Sequence, residues 1–209
     1  MSATWWDAAA SLFLGSSCVG CQRPGRPWCV QCGAELESAV DPMVLGVDPP
    51  VVVSCHYQGC VPDAIVGFKD RGLRGLRPLL GGALAAGVLT ALDVGAHASM
   101  IVPAASAAAA VRRRGFDHMW DLARVCADST ALTPARLLRS QRRADQAGLS
   151  FAARRVNVRG SMRATGKGAG SVIVVDDVRT SGATLAECER ALGTAGYTVV
   201  AHVVIAASI

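Results

Sequence analysis

The sequence feature that most constrains the fold is an apolar run that ends in two acids and a turn of small, hydroxylated residues. Residues 171–184 read SVIVVDDVRTSGAT. The uninterrupted apolar run at 171–175 predicts a strand inside a parallel sheet, and the apolar spacing over 184–195 predicts a helix. Because open α/β sheets bind ligands where their strands end, this strand–turn–helix unit predicts a ligand site.

The side chains of this unit indicate what kind of ligand it takes. Asp176 and Asp177 cannot hold a phosphate, but they suit sugar hydroxyls or a Mg²⁺ ion shared with them. Burying two adjacent acids costs so much free energy that we expect them to have a function. The turn offers backbone N–H groups, hydroxyls and a helix N-terminus to an anion, through Thr180, Ser181, Gly182, Ala183 and Thr184. The unit therefore has partners for both halves of a ribose 5-phosphate. An ordinary strand-to-helix turn with a capping threonine is the alternative.

Four of the eight cysteines have metal-ligand spacing. They are arranged as Cys18-x2-Cys21-x7-Cys29-x2-Cys32. Two C-x-x-C knuckles joined by a short loop predict one structural Zn²⁺, which would fold the segment rather than catalyse. Two disulfides, or free thiols, remain the alternative. Cys55 and Cys60 flank His56 and could suggest a second metal, but that segment reads as the end of a strand.

The placement of charge points to a polyanionic partner. Thirteen basic and four acidic side chains lie between residues 112 and 167, a local charge of +9, whereas the whole chain carries +5. A stretch of this kind predicts a phosphorylated metabolite, pyrophosphate or nucleic acid as ligand. A solvated charged face is the alternative.

The chain as a whole predicts an α/β protein. Hydrophobic residues make up 51% and charged residues 18%, which excludes a largely disordered chain. Residues 1–34 are expected to form an N-terminal helix and the zinc-binding module, 35–50 a linker, and 51–209 one domain. Alternating strands and helices predict a mostly parallel sheet flanked by helices. The strands are expected at 51–57, 99–102, 135–138, 171–175 and 198–206, and the helices at 4–14, 62–70, 76–92, 116–128 and 184–195.

No segment has the pattern of a membrane span or a secretory signal. The longest candidate, residues 79–92, is short for a span and then meets Asp93 and His97. The N-terminus has no basic region and carries Asp7. A cytoplasmic protein without membrane insertion is therefore expected.

The strand-DDVRTSGAT motif resembles the signature by which type I phosphoribosyltransferases bind 5-phosphoribosyl-1-pyrophosphate (PRPP). Over nearly its whole length, the chain is similar to the ComF family of competence-associated, GntX-like, phosphoribosyltransferase-like proteins. The segments that carry this resemblance are LFLGSSCVGCQRPGRPWCVQCG, CHYQGCVPDAIVGFKDRG, IVPAAS, RRRGFDHMWDLA, RSQRRADQAGLSFAARRVN and AGYTVVAHVVIA. The resemblance implies a type I phosphoribosyltransferase-like fold, PRPP as ligand with Mg²⁺, and a role in DNA uptake or nucleotide salvage.

The resemblance also implies roles for individual residues. The turn 180–184 would hold the 5-phosphate, and Asp176 and Asp177 the ribose hydroxyls or metal. Pyrophosphate would meet the turn of Pro103, Ala104, Ala105 and Ser106, together with Arg114 and Lys69. The Arg-rich stretch 139–159 would form a mobile hood.

Four residues depart from the family pattern. Ser181 replaces a threonine and keeps the hydroxyl, and the other three lie on the side that would hold pyrophosphate. Ala105 stands where the family has a second proline, and Asp117 and His118 replace Asn-Gln. The expected activity is phosphoribosyl transfer to an unknown acceptor. The alternative is a catalytically inactive adaptor that binds single-stranded DNA or a competence helicase. The oligomeric state is left open.

Overall fold

The computed structural model describes residues 16–46, 48–141 and 158–208. Within these ranges the chain forms helices α1 to α6 and strands β1 to β8. The helices are α1 (Val30–Ser38), α2 (Val61–Arg71), α3 (Arg77–Asp93), α4 (Ala108–Arg114), α5 (His118–Thr130) and α6 (Ala183–Thr194). The strands are β1 (Val40–Leu45), β2 (Val51–His56), β3 (Met100–Pro103), β4 (Thr133–Pro134), β5 (Leu138–Ser140), β6 (Met162–Ala164), β7 (Gly170–Arg179) and β8 (Tyr197–Ala207).

Six of the strands form one sheet in the order β1-β2-β8-β7-β3-β4. The neighbouring pairs β2–β8, β8–β7, β7–β3 and β3–β4 all run parallel. The edge strand β1 is antiparallel to β2. Strands β5 and β6 form a separate antiparallel pair in which Leu138 lies opposite Ala164. The predicted fold class, a mostly parallel sheet flanked by helices, is confirmed.

The inner strands are apolar on both faces because helices cover both faces of the sheet. In β7 the side chains from Val172 to Val175 are fully buried. Ile173 and Val175 belong to the core layer that contains α3 and α5, whereas Val172 and Val174 belong to the layer that contains α6. This alternation is the period-two geometry of a strand between two helical layers.

One described segment, Arg74–Asp93, could cross a membrane by length and composition alone, with a mean hydropathy of 1.4. Half of the relevant window is buried inside the fold, however, and α3 packs against β2, β8 and α5. Leu80, Leu84 and Val88 have no exposed surface. The segment is a core helix, as the prediction for 76–92 had it.

The segment interpreted as a linker is a structured part of the fold. Residues 35–38 are the second half of α1, and β1 then pairs with β2, with Leu45 opposite Val51. Proline in an inner strand would remove a ladder hydrogen bond, but Pro42 is tolerated because β1 is an edge strand. The proposed domain division itself stays a prediction.

Two further differences surround the Arg-rich region. Helix α4 was not predicted, although the alanines before Val111 have high helix propensity. The strand expected at 135–138 is split into β4 and β5, because the chain leaves the sheet after Pro134 to pair with β6. The helix expected at 4–14 lies outside the described residues.

Candidate functional site

A cleft opens at the carboxyl end of the sheet because β7 extends beyond its neighbour β3. Strand β3 ends at Pro103, opposite Val175, while β7 continues beside β8. Asp176 and Asp177 therefore have a strand on one side only. The space on the other side forms the cleft.

The cleft has a volume of about 460 Å³ and gathers residues from widely separated parts of the chain. It is lined by the two acids, by threonines of the following turn, by the turn after β3 and by two cations. The sequence-predicted residues among them are Asp176, Asp177, Thr180, Thr184, Ala104, Ala105, Ser106, Lys69 and Arg114.

Two side chains from outside the sheet hold the carboxylate of Asp177. Lys69 Nζ, on the last turn of α2, donates to Asp177 Oδ2 at 2.5 Å. His118 Nε2, at the start of α5, lies 3.0 Å from the same oxygen. The other oxygen, Oδ1, accepts the backbone N–H of Val178 at 2.8 Å. Both carboxylate oxygens of Asp177 therefore have partners in the protein.

The carboxylate of Asp176 has fewer partners. Its Oδ1 accepts the backbone N–H of Asp177 at 2.9 Å, and it makes no other hydrogen bond within the described ranges. One carboxylate oxygen that lines the cleft is thus left for a hydroxyl or a cation. Oxygen ligands of this kind suit Mg²⁺.

The two adjacent acids have opposite pKa shifts. Burial, and then the charge of Asp177, raise the pKa of Asp176. Burial also acts to raise the pKa of Asp177, but the hydrogen bond from His118 and the charge of Lys69 outweigh it and lower that pKa. Two buried acids side by side are tolerated because one is paired and the other is readily protonated.

Arg114 fixes the orientation of the imidazole that holds Asp177. Its Nη1 lies 3.2 Å from His118 Nδ1, and its Nη2 donates to Asp70 Oδ1 at 3.0 Å. Because a guanidinium can only donate, Nδ1 must accept, and the ring proton is on Nε2, facing Asp177. This contact sets the tautomer of His118.

The turn that follows the acids has the geometry of an anion-binding site. Gly182 is the N-cap of α6 and has φ 74°, a left-handed conformation that side chains rarely adopt. The N–H of Ala183 contacts Ser181 Oγ at 3.4 Å. The first N–H groups of α6 and the positive end of its dipole lie at this turn.

The turn after β3 separates the cleft from a neighbouring cavity. Ala104, Ala105 and Ser106 line both spaces, whereas Pro103 lines the neighbouring cavity. Ser106 Oγ donates to Asp117 Oδ1 at 3.3 Å. Asp117 therefore does not face the cleft; it fixes this turn and caps α5.

Sequence reasoning missed three functional residues, Asp70, Asp117 and His118. The last two were recognised only as departures from a family pattern, although an acid just before an amphipathic helix is a capping signal. No sequence signal indicates that His118 reaches an acid 59 residues away.

A buried ion pair attaches the β5–β6 hairpin to α6. Glu187 is 3% exposed, and its Oε1 accepts the backbone N–H of Met162 at 2.9 Å. Arg190 pairs with Glu187 and donates to the carbonyl of Met162 at 3.0 Å. Mainly through its hydrogen bonds, Arg190 lowers the pKa of Glu187 to about 2. The hairpin is thereby connected to the helix that begins at the anion-binding turn.

Of the hood predicted at 139–159, residues 142–157 lie outside the described ranges.

The four spaced cysteines form a cluster whose sulfurs all lie within 4.8 Å of one another. Cys18 Sγ is 3.7 Å from Cys32 Sγ, and Cys21 Sγ is 3.8 Å from Cys29 Sγ. Four thiolates bound at about 2.3 Å to a tetrahedral ion would lie about 3.8 Å apart. The donor set therefore fits a metal such as zinc.

Local hydrogen bonds favour the thiolate form of Cys18. Burial acts to raise the pKa of Cys18, but N–H groups of the knuckles outweigh it and lower the pKa to about 6. One of these donors is Cys29 N–H, whose nitrogen is 3.4 Å from Cys18 Sγ. Cys32 shifts the other way, because burial and hydrogen bonds with the neighbouring thiols raise its pKa.

Cys55 and Cys60 do not form a second metal cluster with His56 in the described part of the chain. Both thiols are buried, and burial raises the pKa of Cys55 to about 11. Cys60 Sγ donates to the carbonyl of Cys32 at 3.5 Å. These cysteines are core residues.

Comparisons with known proteins give structural likenesses only. No protein-family model matches the sequence, and the search of curated proteins returns no match. A solved adenine phosphoribosyltransferase aligns at TM-score 0.45 and 12% identity, over 85% of this chain and 89% of that one. Orotate phosphoribosyltransferase from Aeropyrum pernix aligns at TM-score 0.37 and 18% identity, over 81% and 76%.

A glutamine PRPP amidotransferase from B. subtilis, solved with ADP and GMP, aligns at TM-score 0.39 and 22% identity, over 61% of this chain. The chain spans 25% of the length of that amidotransferase. The fold class itself rests on the strand order and on the helical layers that cover both faces of the sheet, and the N-terminal module on the cysteine cluster.

Proposed function

We propose that the chain binds PRPP, or a related phosphoribosyl ligand, in the cleft at the end of β7. The 5-phosphate lies on the turn 180–184 and the ribose against Asp176 and Asp177. The observation that carries this proposal is that the acids overhang β3 and face the same cleft as Thr180 and Thr184. Candidate partners for the sugar and for the phosphate thus line one cleft.

The cations of the cleft support a second anionic group on the same ligand. The side chain of Arg114 is 10% exposed, and its buried Nε has no partner within the described ranges. Lys69 also lines the cleft, where its Nζ donates to Asp177 Oδ2. In the proposed complex these cations and the backbone at 103–106 face the pyrophosphate.

The proposed activity is phosphoribosyl transfer with release of pyrophosphate, to an acceptor that the sequence does not identify. Such a reaction needs no covalent nucleophile; it needs the ribose and phosphate fixed and water excluded. When bound, Mg²⁺ supplies charge neutralisation for the pyrophosphate. Asp176 has the carboxylate oxygen suited to hold it, and Asp177 positions Lys69 and His118.

A non-enzymatic adaptor is the second candidate function, and local charge favours it. Arg112, Arg136 and Arg139 are exposed beside the cleft, within the stretch of charge +9. An adaptor of the ComF type would bind single-stranded DNA or a competence helicase in the cytoplasm. Its DNA affinity would fall steeply with salt because released counterions drive such binding.

Calorimetry with PRPP and Mg²⁺ tests the first candidate. We expect saturable binding that ribose 5-phosphate and pyrophosphate each reproduce only weakly, because each occupies half of the site. Release of pyrophosphate with a base or nucleoside would establish the transfer reaction. Absence of PRPP binding, together with salt-dependent binding of single-stranded DNA, would favour the adaptor.

A further inference from the structure

A second cavity, with a volume of about 530 Å³, adjoins the cleft across the turn after β3. Helix α4 forms one wall and β5 the other. It shares Ala104, Ala105 and Ser106 with the cleft. Its size is that of small-molecule sites. We call it the arginine-rimmed cavity, after Arg112 and Arg139, which line it together with Arg136.

The arginine-rimmed cavity carries a surplus of positive charge. Its three arginines form no ion pair with a carboxylate in the described part of the chain. The single carboxylate in its lining is Asp117, whose Oδ1 already accepts from Ser106 Oγ at 3.3 Å and contacts the N–H of Trp120 at 3.4 Å. The lining thus holds three positive charges against one negative charge, which leaves a positive surplus for an external anion.

One of these arginines is fixed by stacking. The guanidinium carbon of Arg136 lies 4.4 Å from the centroid of the Trp120 ring. Such a contact restrains the planar donor fork, which matches two oxygens of a carboxylate or a phosphate. An anion therefore meets a donor that is already oriented.

The walls below the arginines are apolar and made of short side chains. Val111 and Leu138 face the cavity with the alanines of the turn and of α4. Leu138 is 8% exposed and belongs to the core, so this wall is rigid. Short apolar walls under a cationic rim suit a flat ring that carries an anionic group.

We propose that the arginine-rimmed cavity binds a planar aromatic or heterocyclic carboxylate, with the ring between Val111 and Leu138 and the carboxylate at the arginines. That this carboxylate is the acceptor for phosphoribosyl transfer rests on the proposed function. That the cavity binds it does not. The cavity lies next to the turn that would hold pyrophosphate.

Calorimetry with nicotinate and nicotinamide tests the charge requirement. The two compounds share one ring and differ only in that nicotinate carries a carboxylate and nicotinamide a neutral amide. We expect nicotinate to bind at least tenfold more tightly, since a charge-assisted hydrogen bond is replaced by a neutral one. Arg112→Gln should weaken nicotinate about tenfold. Arg113→Gln is the matched control: Arg113 is also exposed on α4 but does not line the cavity, and its loss should change affinity less than twofold.

Three results would overturn the proposal. Equal affinity for nicotinate and nicotinamide would show that the arginines do not recognise the ligand. Equal losses in Arg112→Gln and Arg113→Gln would indicate diffuse electrostatic attraction. Binding of adenosine monophosphate without any binding of nicotinate or benzoate would make the ligand a phosphate. Nicotinate binding in a protein that fails to bind PRPP would support the cavity and contradict only the proposed function.

Discussion

Lys69 and Asp177 lie 108 residues apart in the sequence, and Lys69 Nζ donates to Asp177 Oδ2 at 2.5 Å. The contact joins the last turn of α2 to the overhanging end of β7. It leaves Asp176, and not Asp177, with a carboxylate oxygen that has no partner in the described part of the chain. Both acids line the cleft, but the protein holds Asp177 through both carboxylate oxygens and Asp176 through one.

Replacing Lys69 by Met should destabilise the protein at neutral pH. Asp177 is buried, and the substitution removes its cationic partner, at an expected cost of about 1–3 kcal/mol in the free energy of unfolding. The folded-state pKa of Asp177 is lowered, so this stabilisation is present above the pKa of an unfolded aspartate and is lost as pH falls. Urea unfolding should show the full difference from wild type at pH 7 and roughly half of it at pH 3, because the remainder is lost only as pH falls through the folded-state pKa of about 2.

Lys69→Arg is the control, because it keeps a cation at this position. It should recover at least half of the lost free energy. A Lys69→Met protein as stable as wild type at pH 7 would mean that His118 alone stabilises the buried carboxylate.

Replacing Asp176 by Asn should separate stability from ligand binding. The raised pKa of Asp176 means that the folded state prefers its neutral form, so its contribution to stability is lost as pH rises through that pKa. Asn is neutral at every pH. We expect Tm to be higher than wild type at pH 8 and unchanged at pH 4, while Mg²⁺-dependent PRPP affinity falls at least tenfold.

Asp177→Asn is the matched variant, because it makes the same replacement of a carboxylate by an amide at the neighbouring acid. It should lower Tm at pH 8, because Lys69 and His118 lose their common partner. If Asp176→Asn also lowers Tm at pH 8, the acid has a structural role that its contacts do not show.

The sequence could predict the strand–turn–helix unit because its signals are local. The apolar run of β7, the acids and the small turn residues lie within 14 positions, 171 to 184. The contacts that distinguish the acids are not local. Asp177 is selected by Lys69 and His118, which reach it only because α2 and α5 end and begin at the same edge of the sheet. Such juxtapositions depend on the packing of whole helices and have no pattern in the sequence.

The metal cluster was predictable for the same reason, and one zinc ion per chain is expected. Cys18→Ser should remove most of the zinc, as measured by elemental analysis, because a tetrahedral site with three thiolates is open to water. It should also unfold the segment that precedes α1, because that segment then loses the metal that would join its four cysteines. Protease sensitivity near residues 18–32 would report that loss.

Cys60→Ser is the control for this prediction. Cys60 Sγ donates to the carbonyl of Cys32, a contact that a serine hydroxyl preserves, and it lies outside the cluster. Zinc content should be unchanged. A protein purified under reducing conditions without zinc, or one with equal zinc in both variants, would contradict the assignment.

Replacing Gly182 tests the anion-binding turn, because a side chain there acts on two separable properties. The φ of 74° makes Ala strained at this position, whereas Asn adopts the left-handed conformation more readily. The space around the residue is open: an added Cβ would lie 3.5 Å from Arg179 Nε, an ordinary contact. Gly182→Ala should therefore cost about 1 kcal/mol of stability from the backbone alone, and Gly182→Asn less.

The same variants test ligand binding. If a phosphate approaches the backbone here, both variants should weaken PRPP binding by at least tenfold, because both fill the approach path. Thermal unfolding and calorimetry on the two variants give the comparison. Affinity that follows stability, with Asn binding as tightly as wild type, would show that the turn's conformation matters but that the phosphate lies elsewhere.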